Sequence, residues 1–365
     1  MESTSLASIE TSFTRLGVVL SPNASPLEAE GVLNPASART RDGKLLLYPR
    51  VVAGGNTSRI GLIEAHGTGD ALTFERQGFV LEPSAPYELR SQSGGYGCED
   101  PRVTFIPALD RYVMAYTAYG PEGPRIAVAT STDAYHWDRL GLVRFAPGLP
   151  NGEDKDGVFF PEPVRSPNGV LSLAMYHRPM LHISAVDGNA AVPIILDMPP
   201  HDRECTRIGY IPFEPVQRDL GNLLNVTEST IVLEPGPHWG RLKTGGGTPP
   251  VRLDEGWFSL YHAVDATWSG ERWIMKYRAG VIVHDLERPD IVRYRSPDPV
   301  FSPETPDELR GVVNNVVFPT AIDVPPGSPA RTFDVYYGMA DARIGRVRCD
   351  VGASALAKKV EESAA

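Results

Sequence analysis

Five segments of this chain share one pattern: a short apolar run ends at a polar or charged residue, the chain turns, and a second apolar run follows. Apolar runs of this length, bounded by turn-forming residues, are typical of antiparallel β-strand pairs. The five pairs are residues 45–50 with 59–65, 112–119 with 125–131, 170–178 with 182–186, 257–265 with 277–285, and 333–341 with 344–350. Such a unit cannot bury its own faces, so its repetition predicts an assembly of packed sheets.

The repetition favours an all-β fold, a five-bladed β-propeller, formed as a single domain by residues 1–365 with short terminal extensions. In a propeller, the ends of corresponding strands converge on one axial channel. We therefore expect Arg50, Arg178, His262 and Asp341, which end strands of different pairs, to lie near one another. A β-sandwich or β-barrel stays open as the alternative, because apolar strands that end at polar turns occur there as well.

The composition fits a chain with many tight turns. The 35 glycines and 34 prolines are spread along the sequence, often in pairs such as Gly54-Gly55. No run of about 18 apolar residues is present, so we expect no membrane-spanning segment. The three cysteines are odd in number and widely separated, which predicts reduced thiols and a cytoplasmic protein.

The net charge of -10 disfavours nucleic acid and anionic membranes as partners, since both need a contiguous basic surface. An anionic ligand must then be held by a local group of cations. The candidates are Lys155, Arg178, Lys243 and His262. Each residue also has an alternative interpretation: the lysines and the arginine as solvated surface charges, and the histidine as a hydrogen-bonded structural residue. A propeller would nevertheless place Arg178 and His262 at the same end of its channel, where low-dielectric walls strengthen the local field.

The segment GYGCEDPRVTF, residues 95–105, places two acidic residues at the entry to a strand. Pro101 fixes its own φ and pushes Asp100 toward an extended conformation. A carboxyl group held near an apolar wall keeps its proton toward neutral pH and can act as a general acid. The alternative is a turn in which Asp100 accepts backbone N–H groups or pairs with Arg102.

These segments resemble glycoside hydrolase family 130, the five-bladed propeller family of β-mannoside phosphorylases and related β-mannosidases. The resemblance runs over nearly the whole chain, from NPA at 34–36 to YYGMAD at 336–341. Its most specific motifs are EDPRV, KDxxxFPEP, HRP at 177–179, GGGTPP and GWFSLYH in the segment from Lys243 to His262, and YRAGVIVHDLERPDIVRYRSPDPVFSPE.

The resemblance implies a glycoside phosphorylase that uses inorganic phosphate as a co-substrate and needs no other cofactor. It implies that Asp100 is the catalytic acid, whose proton reaches the glycosidic oxygen through the mannosyl 3-hydroxyl. The implied phosphate-binding residues are Lys155, Arg178, Lys243 and His262. The implied substrate contacts are Arg50, Arg102, Tyr277 and Asp341.

One acid among several cations is the set of groups that phosphorolysis needs. An inverting glycosidase requires a second carboxylate as the base for water, roughly 6.5 to 9.5 Å from the acid. Phosphate is already an anionic nucleophile, so the protein has only to bind it and aim it at C1. We therefore expect a β-mannoside disaccharide or short oligosaccharide to give α-mannose 1-phosphate and a shortened acceptor. Hydrolysis by a β-mannosidase is the main alternative, and a non-catalytic sugar-binding propeller is a more distant one.

The sequence carries no pattern for a metal or a nucleotide. The histidines and cysteines form no HxxxH or CxxC arrangement, so we expect no required metal. A GxGxxG motif after a strand and the Walker pattern are both missing, which argues against a nucleotide. The expected partners are thus small molecules, an oligosaccharide and phosphate, and assembly into a homo-oligomer stays open.

Overall fold

Antiparallel β-sheets make up most of the chain in the computed structural model, which describes residues 6–91, 94–182, 188–329 and 331–356. Within these residues, five antiparallel units of four or five strands can be distinguished, and we number them sheets 1 to 5. The all-β class expected from the apolar strand pairs is confirmed.

Sheets 1 and 2 follow a first strand, β1 (Leu6–Leu20), which belongs to sheet 5. Sheet 1 consists of β2 (Gly31–Arg39), β3 (Leu45–Ala53), β4 (Thr57–His66) and β5 (Thr73–Leu81). Sheet 2 consists of β6 (Tyr96–Ile106), β7 (Arg111–Gly120), β8 (Gly123–Ser131) and β9 (Asp138–Leu142). Two parallel residue pairs between β4 and β6 join these two units into one eight-stranded sheet.

Sheet 3 lies in the middle of the chain and is interrupted by helices. Its elements and their neighbours are β10 (Arg144–Phe145), β11 (Asp154–Phe159), β12 (Val164–Arg165), β13 (Leu171–Pro179), α1 (Gly188–Asp197), β14 (Thr206–Pro212), α2 (Phe213–Arg218), β15 (Asn225–Val226) and β16 (Glu228–Leu233). The strand order is β11-β13-β14-β16, with β12 beside β13, while β10 and β15 form a separate parallel pair.

Sheet 4 has the order β17-β19-β20-β21, with β18 beside β19. Its strands, with the helix that follows them, are β17 (Lys243–Gly246), β18 (Val251–Leu253), β19 (Gly256–Trp268), β20 (Trp273–His284), β21 (Val292–Arg295) and α3 (Pro306–Leu309). Short 3-10 helices occur at Pro26–Glu28, Gly69–Ala71, Pro86–Glu88, Pro107–Leu109, Pro200–Asp202 and Leu220–Leu224. None of the helices in the described ranges is long and apolar enough to cross a membrane.

Sheet 5 joins the two ends of the chain. It contains β22 (Val317–Asp323), β23 (Thr332–Met339) and β24 (Arg343–Leu356), and β1 lies against β24 in antiparallel register from Leu6 opposite Leu356 to Leu20 opposite Ile344. The strand-pair pattern does not identify β1, because apolar and polar residues are interspersed in its sequence LASIETSFTRLGVVL, which has no apolar run longer than the three residues VVL.

Four of the five expected strand pairs are confirmed, and the second half of the third pair lies largely outside the described residues. The confirmed pairs are β3 with β4, β7 with β8, β19 with β20, and β23 with β24. Among the described residues, strand β13 pairs with β14 on one side and with β11 and β12 on the other. Of residues 182–186 only His182 lies in the described residues, and it is not in a strand.

The apolar cores lie between neighbouring sheets. Representative buried pairs are Tyr48 and Tyr116 between sheets 1 and 2, Ile126 and Phe159 between sheets 2 and 3, Tyr176 and Trp257 between sheets 3 and 4, Phe258 and Phe333 between sheets 4 and 5, and Tyr336 and Ile63 between sheets 5 and 1. Burying a large apolar side chain stabilises the fold by about 1.5–3 kcal/mol. Strands covered on both faces read as continuous apolar runs, which is why LLLY at 45–48 shows no polar alternation.

The contact between sheets 3 and 4 contains a fully buried histidine. His284 ends β20, and its ring centroid lies 6.0 Å from that of Phe160 and 5.6 Å from that of Tyr176. Burial in this aromatic cluster lowers the pKa of His284 to about 4, with only partial compensation from the Pro289 backbone and Asp290. The folded protein therefore holds this imidazole neutral at pH 5, where the unfolded chain binds a proton.

We predict that His284 contributes to acid destabilisation. Because its folded-state pKa lies below the ordinary value of 6.5, its stabilising contribution is present above pH 6.5 and is lost as the pH falls toward 4, by about 3 kcal/mol in total. In urea unfolding between pH 7 and pH 4, His284→Gln should lose less stability over this range than the wild type. The exposed His136→Gln is the control, and equal pH slopes in wild type and His284→Gln would contradict the prediction.

Candidate active site

A polar cavity lies where the first strands of the five sheets approach one another. Its volume is about 180 Å³, and it is lined by Asn34, Arg50, Asp100, Lys155, Asp156, Arg178, Met180, Lys243, His262, Tyr277, Val316, Phe318 and Asp341. The structure thus brings together eight of the nine side chains expected to form a site, all except Arg102. They come from every sheet, although they are separated by up to about 290 residues of chain.

Irregularities in the first strands of sheets 1, 2 and 3 aim side chains into this cavity. The register of each strand shifts at Asn34, Asp100 and Asp156, and these residues have φ values of 42°, 45° and 62°. Asn and Asp tolerate this left-handed region better than most residues. The extended conformation expected for Asp100 from the following proline is therefore wrong, because a bulge imposes a left-handed one.

Asp100 lies among cations in the cavity. Its Oδ1 accepts hydrogen bonds from Asn34 Nδ2 at 2.9 Å and from Arg50 Nη1 at 3.4 Å. Burial alone would raise the pKa of this carboxyl group, but Arg50, Lys155 and Arg102 outweigh burial and lower its pKa below the ordinary value. This reverses the direction expected from an apolar wall: without a ligand, Asp100 is ionised.

Glu99 connects two of the cavity cations. Arg50 Nη2 donates to its Oε1 at 2.9 Å, and Lys155 Nζ donates to its Oε2 at 3.0 Å. Burial lowers the pKa of Lys155, but the attraction of Glu99 and Asp100 is larger and raises it overall, so Lys155 stays charged. Glu99 thereby balances two charges in a place that water barely reaches.

Arg178 is held by two carboxylates. Its Nε donates to Asp156 Oδ2 at 2.7 Å, and its Nη1 donates to Glu204. Among the described residues no side chain or carbonyl accepts from Nη2. Burial would raise the pKa of Asp156, but Arg178 and its other neighbours lower it far below the ordinary range. Asp156 is therefore a stable anion and a weak base.

Lys243, His262 and Tyr277 form the side of the cavity that belongs to sheet 4. The Lys243 ammonium lies 5.5 Å from the centre of the Tyr277 ring, and no carboxylate within the described ranges forms an ion pair with it. His262 Nδ1 lies 3.2 Å from the Gly246 carbonyl oxygen, which can only accept, so Nδ1 carries the proton. Burial lowers the pKa of His262 to about 3, and Arg178 contributes in the same direction.

His262 therefore differs from the cation expected from the sequence, since burial keeps its imidazole neutral. Arg102 differs as well. It is 1% exposed and does not line the cavity, because its guanidinium donates to the carbonyl oxygens of Asp100 at 3.1 Å and Gly246 at 3.1 Å. Arg102 ties the backbone that carries Asp100 to the first strand of sheet 4.

Asp341 is the second carboxyl group that faces Asp100. It follows β23 in a turn, with a φ of 50°. Burial raises the pKa of Asp341 to about 6, and the negative charge of Asp100 adds to the shift. Of the two, Asp341 is thus the carboxyl group that retains its proton toward neutral pH.

The sequence predicts one acid among several cations, but the structure places additional carboxyl groups at the site. Cations and carboxyl groups are equal in number in and beneath the cavity: Arg50, Arg102, Lys155, Arg178 and Lys243 stand against Glu99, Asp100, Asp156, Glu204 and Asp341. Three site residues that the sequence analysis did not single out lie within the family motifs and could have been found there: Asn34 in NPA, Glu99 in EDPRV and Asp156 in KDxxxFPEP. No motif contains Glu204. The described residues contain no group of three or more His, Cys, Asp or Glu side chains arranged to hold a metal ion.

Comparison with known proteins connects this site to one family. The family model described as beta-1,4-mannooligosaccharide phosphorylase, glycoside hydrolase family 130, matches residues 10–192 and 221–352. A 1,2-beta-oligomannan phosphorylase of Thermoanaerobacter sp. strain X514 is 30% identical over 339 residues, which cover 90% of this chain and 93% of the relative. A beta-1,4-mannooligosaccharide phosphorylase of Ruminococcus albus is 29% identical over 68% of this chain and 60% of its own length.

Solved structures share the fold. The beta-1,2-mannobiose phosphorylase of Listeria innocua, in complex with beta-1,2-mannobiose, superposes with a TM-score of 0.67 at 21% identity, over 92% of this chain and 96% of its own. The family model matches most of the sequence, in agreement with the resemblance of its motifs. The chain belongs to glycoside hydrolase family 130.

Proposed function

We propose that this protein is an inverting β-mannoside phosphorylase, which converts a β-mannoside disaccharide or short oligosaccharide and phosphate into α-mannose 1-phosphate and a shortened acceptor. The observation that carries the proposal is the convergence of Arg178 and Lys243 on the cavity that also holds Asp100. Guanidinium and ammonium groups bind phosphate oxygens, and a carboxyl group on the other side of the sugar can protonate the leaving oxygen.

In the proposed reaction, phosphate binds near Arg178, Lys243, His262 and Lys155 and attacks C1, while the bond from C1 to the glycosidic oxygen breaks. The proton of Asp100 passes to that oxygen through the mannosyl 3-hydroxyl. Arg50, Tyr277 and Asp341 contact the mannosyl unit. Because like charges disfavour ionisation, the arrival of a phosphate dianion raises the pKa of Asp100, which supplies the protonated acid that the unliganded site lacks.

Asp156 bears on the choice between phosphate and water. Hydrolysis with inversion needs a carboxylate base for water, and Asp156 is a carboxylate in the same cavity. Its lowered pKa makes it a weak base, however, and its Oδ2 is engaged by Arg178 Nε. A base works best when its pKa is near the operating pH, so this carboxylate favours phosphorolysis over hydrolysis.

We also propose that the five sheets are the blades of a β-propeller that forms a single catalytic domain. Three observations support this arrangement. Apolar cores fill the spaces between consecutive sheets and between sheets 5 and 1. The first strands β2, β6, β11 and β17 each contribute side chains to one cavity. Strands β1 and β24 join the ends of the chain in one sheet, which would close the ring of blades.

A cytoplasmic location and a reaction without metal complete the proposal. Cys98, Cys205 and Cys349 are buried and unpaired, which fits a reducing compartment. The chemistry derived above uses only a carboxyl group, cations and phosphate, so activity should persist after exhaustive chelation.

The proposed reaction predicts that bond cleavage depends on phosphate. Because relatives are named for both 1,2 and 1,4 linkages, the protein should be incubated with β-1,2-, β-1,3- and β-1,4-mannobiose, with and without inorganic phosphate. We expect phosphorus NMR to show α-mannose 1-phosphate from at least one of them, only when phosphate is present. Release of free mannose at the same rate without phosphate would identify a hydrolase instead.

We predict that Asp100→Asn abolishes turnover while the protein keeps its fold. Loss of the proton donor should lower kcat by roughly 10²- to 10⁴-fold. Asparagine suits the left-handed backbone at this position, so the melting temperature should change little. Asp110→Asn is the matched control, since Asp110 also has a positive φ, of 53°, but is exposed and lies outside the cavity. Wild-type turnover in Asp100→Asn would remove Asp100 from the mechanism.

A further inference from the structure

Glu204 connects sheet 3 with sheet 4 beside the proposed phosphate site. It lies between the 3-10 helix Pro200–Asp202 and β14. Its carboxylate accepts from Arg178 Nη1, and its Oε1 accepts from the Leu181 backbone N–H at 3.3 Å. Its own carbonyl oxygen accepts from the Thr244 backbone N–H at 3.0 Å, next to Lys243. One residue therefore fixes both the end of β13 and the start of β17.

These two strand positions carry the two permanent cations expected to bind phosphate most directly. Arg178 comes from sheet 3 and Lys243 from sheet 4, so their separation depends on how the two sheets meet. The Glu204 side chain is 14% exposed, and its contacts restrain the guanidinium at Nη1 while Asp156 restrains it at Nε. The remaining nitrogen, Nη2, is left to face a ligand. A guanidinium held at two of its nitrogens has lost most of its rotational freedom before phosphate arrives, which lowers the entropic cost of binding.

Glu204 lies outside both stretches that the family model matches, residues 10–192 and 221–352. The motifs of the family therefore assign no counterpart to it, whereas Arg178 and Lys243 lie within the matched stretches. Burial would raise the pKa of Glu204, but Arg178 and Lys243 lower it overall, so this carboxylate is ionised and attracted to both cations.

We infer that Glu204 is a positioning residue for phosphate: its contacts with Arg178 and with the backbone beside Lys243 set the spacing of the two cations that receive the anion. The inference rests on the proposed phosphorolysis. The alternative is that Glu204 competes with phosphate for Arg178. In that case the carboxylate would weaken phosphate binding, and removing the carboxylate would strengthen phosphate binding.

The test compares Glu204→Ala and Glu204→Gln with the wild type, and uses Glu234→Ala as a control that removes the same charge from an exposed position nearby. We expect Glu204→Ala to raise the KM for phosphate by roughly 10- to 100-fold, the size of effect expected for loss of a charge-assisted hydrogen bond. The kcat at saturating phosphate and the KM for the mannoside should change by less than about threefold. Glu204→Gln keeps an oxygen that can accept from Arg178, so it should restore part of the loss, and Glu234→Ala should behave as the wild type.

An unchanged or lowered KM for phosphate in Glu204→Ala would overturn the inference. If that variant does not fold, Glu204→Gln carries the test, because it preserves size and should still raise the KM above the wild-type value. The dissociation constant of inorganic phosphate, measured by calorimetry on the same proteins, gives a readout that does not depend on turnover. Phosphate-independent cleavage by the wild type would contradict the proposed function alone, whereas phosphate-dependent cleavage with equal phosphate affinities in all variants would contradict the role of Glu204 alone.

Discussion

Charge pairing among the largely buried side chains around the cavity is the constraint on which the rest of this structure depends. Removing an ion from water is costly unless an opposite charge and hydrogen bonds compensate it. Three of the cavity cations meet carboxylates: Arg50 of sheet 1 and Lys155 of sheet 3 both pair with Glu99 of sheet 2, and Arg178 pairs with Asp156 within sheet 3. The sheets are therefore held in register at their centre by ion pairs, while apolar cores between them supply the bulk of the stabilisation.

The same pairing prepares the site for an anion. Because the charges around the cavity nearly cancel, phosphate is attracted through N–H donors that make no hydrogen bond or ion pair within the protein. Among the described residues, Arg178 Nη2 and the Lys243 ammonium are such donors. The left-handed backbone at Asn34, Asp100 and Asp156 is unfavourable by about 1–3 kcal/mol per residue. Strain at these positions is consistent with a site whose side chains must point inward from bulged strands.

The apolar strands were predictable from the sequence, but the partners of the charged side chains were not. Arg178 lies next to the last residue of β13, as the strand-pair pattern predicts, whereas Arg50 and His262 lie inside β3 and β19 and not at their ends. The motif KDxxxFPEP contains Asp156 and no motif marks Glu204, and nothing in one sequence shows that these two carboxylates face the guanidinium of Arg178. Strand β1 was missed because apolar and polar residues are interspersed along this edge strand, so it lacks a long apolar run. The neutral state of His262 depends on its burial, which a sequence pattern does not report.

A crystal structure of the protein with phosphate and mannose bound tests the central claim most directly. We expect a phosphate oxygen within about 3 Å of a nitrogen of Arg178 and of the Lys243 ammonium, with the mannosyl ring between this anion and Asp100. Phosphate bound outside the cavity, or within it but without contact to either cation, would contradict the account.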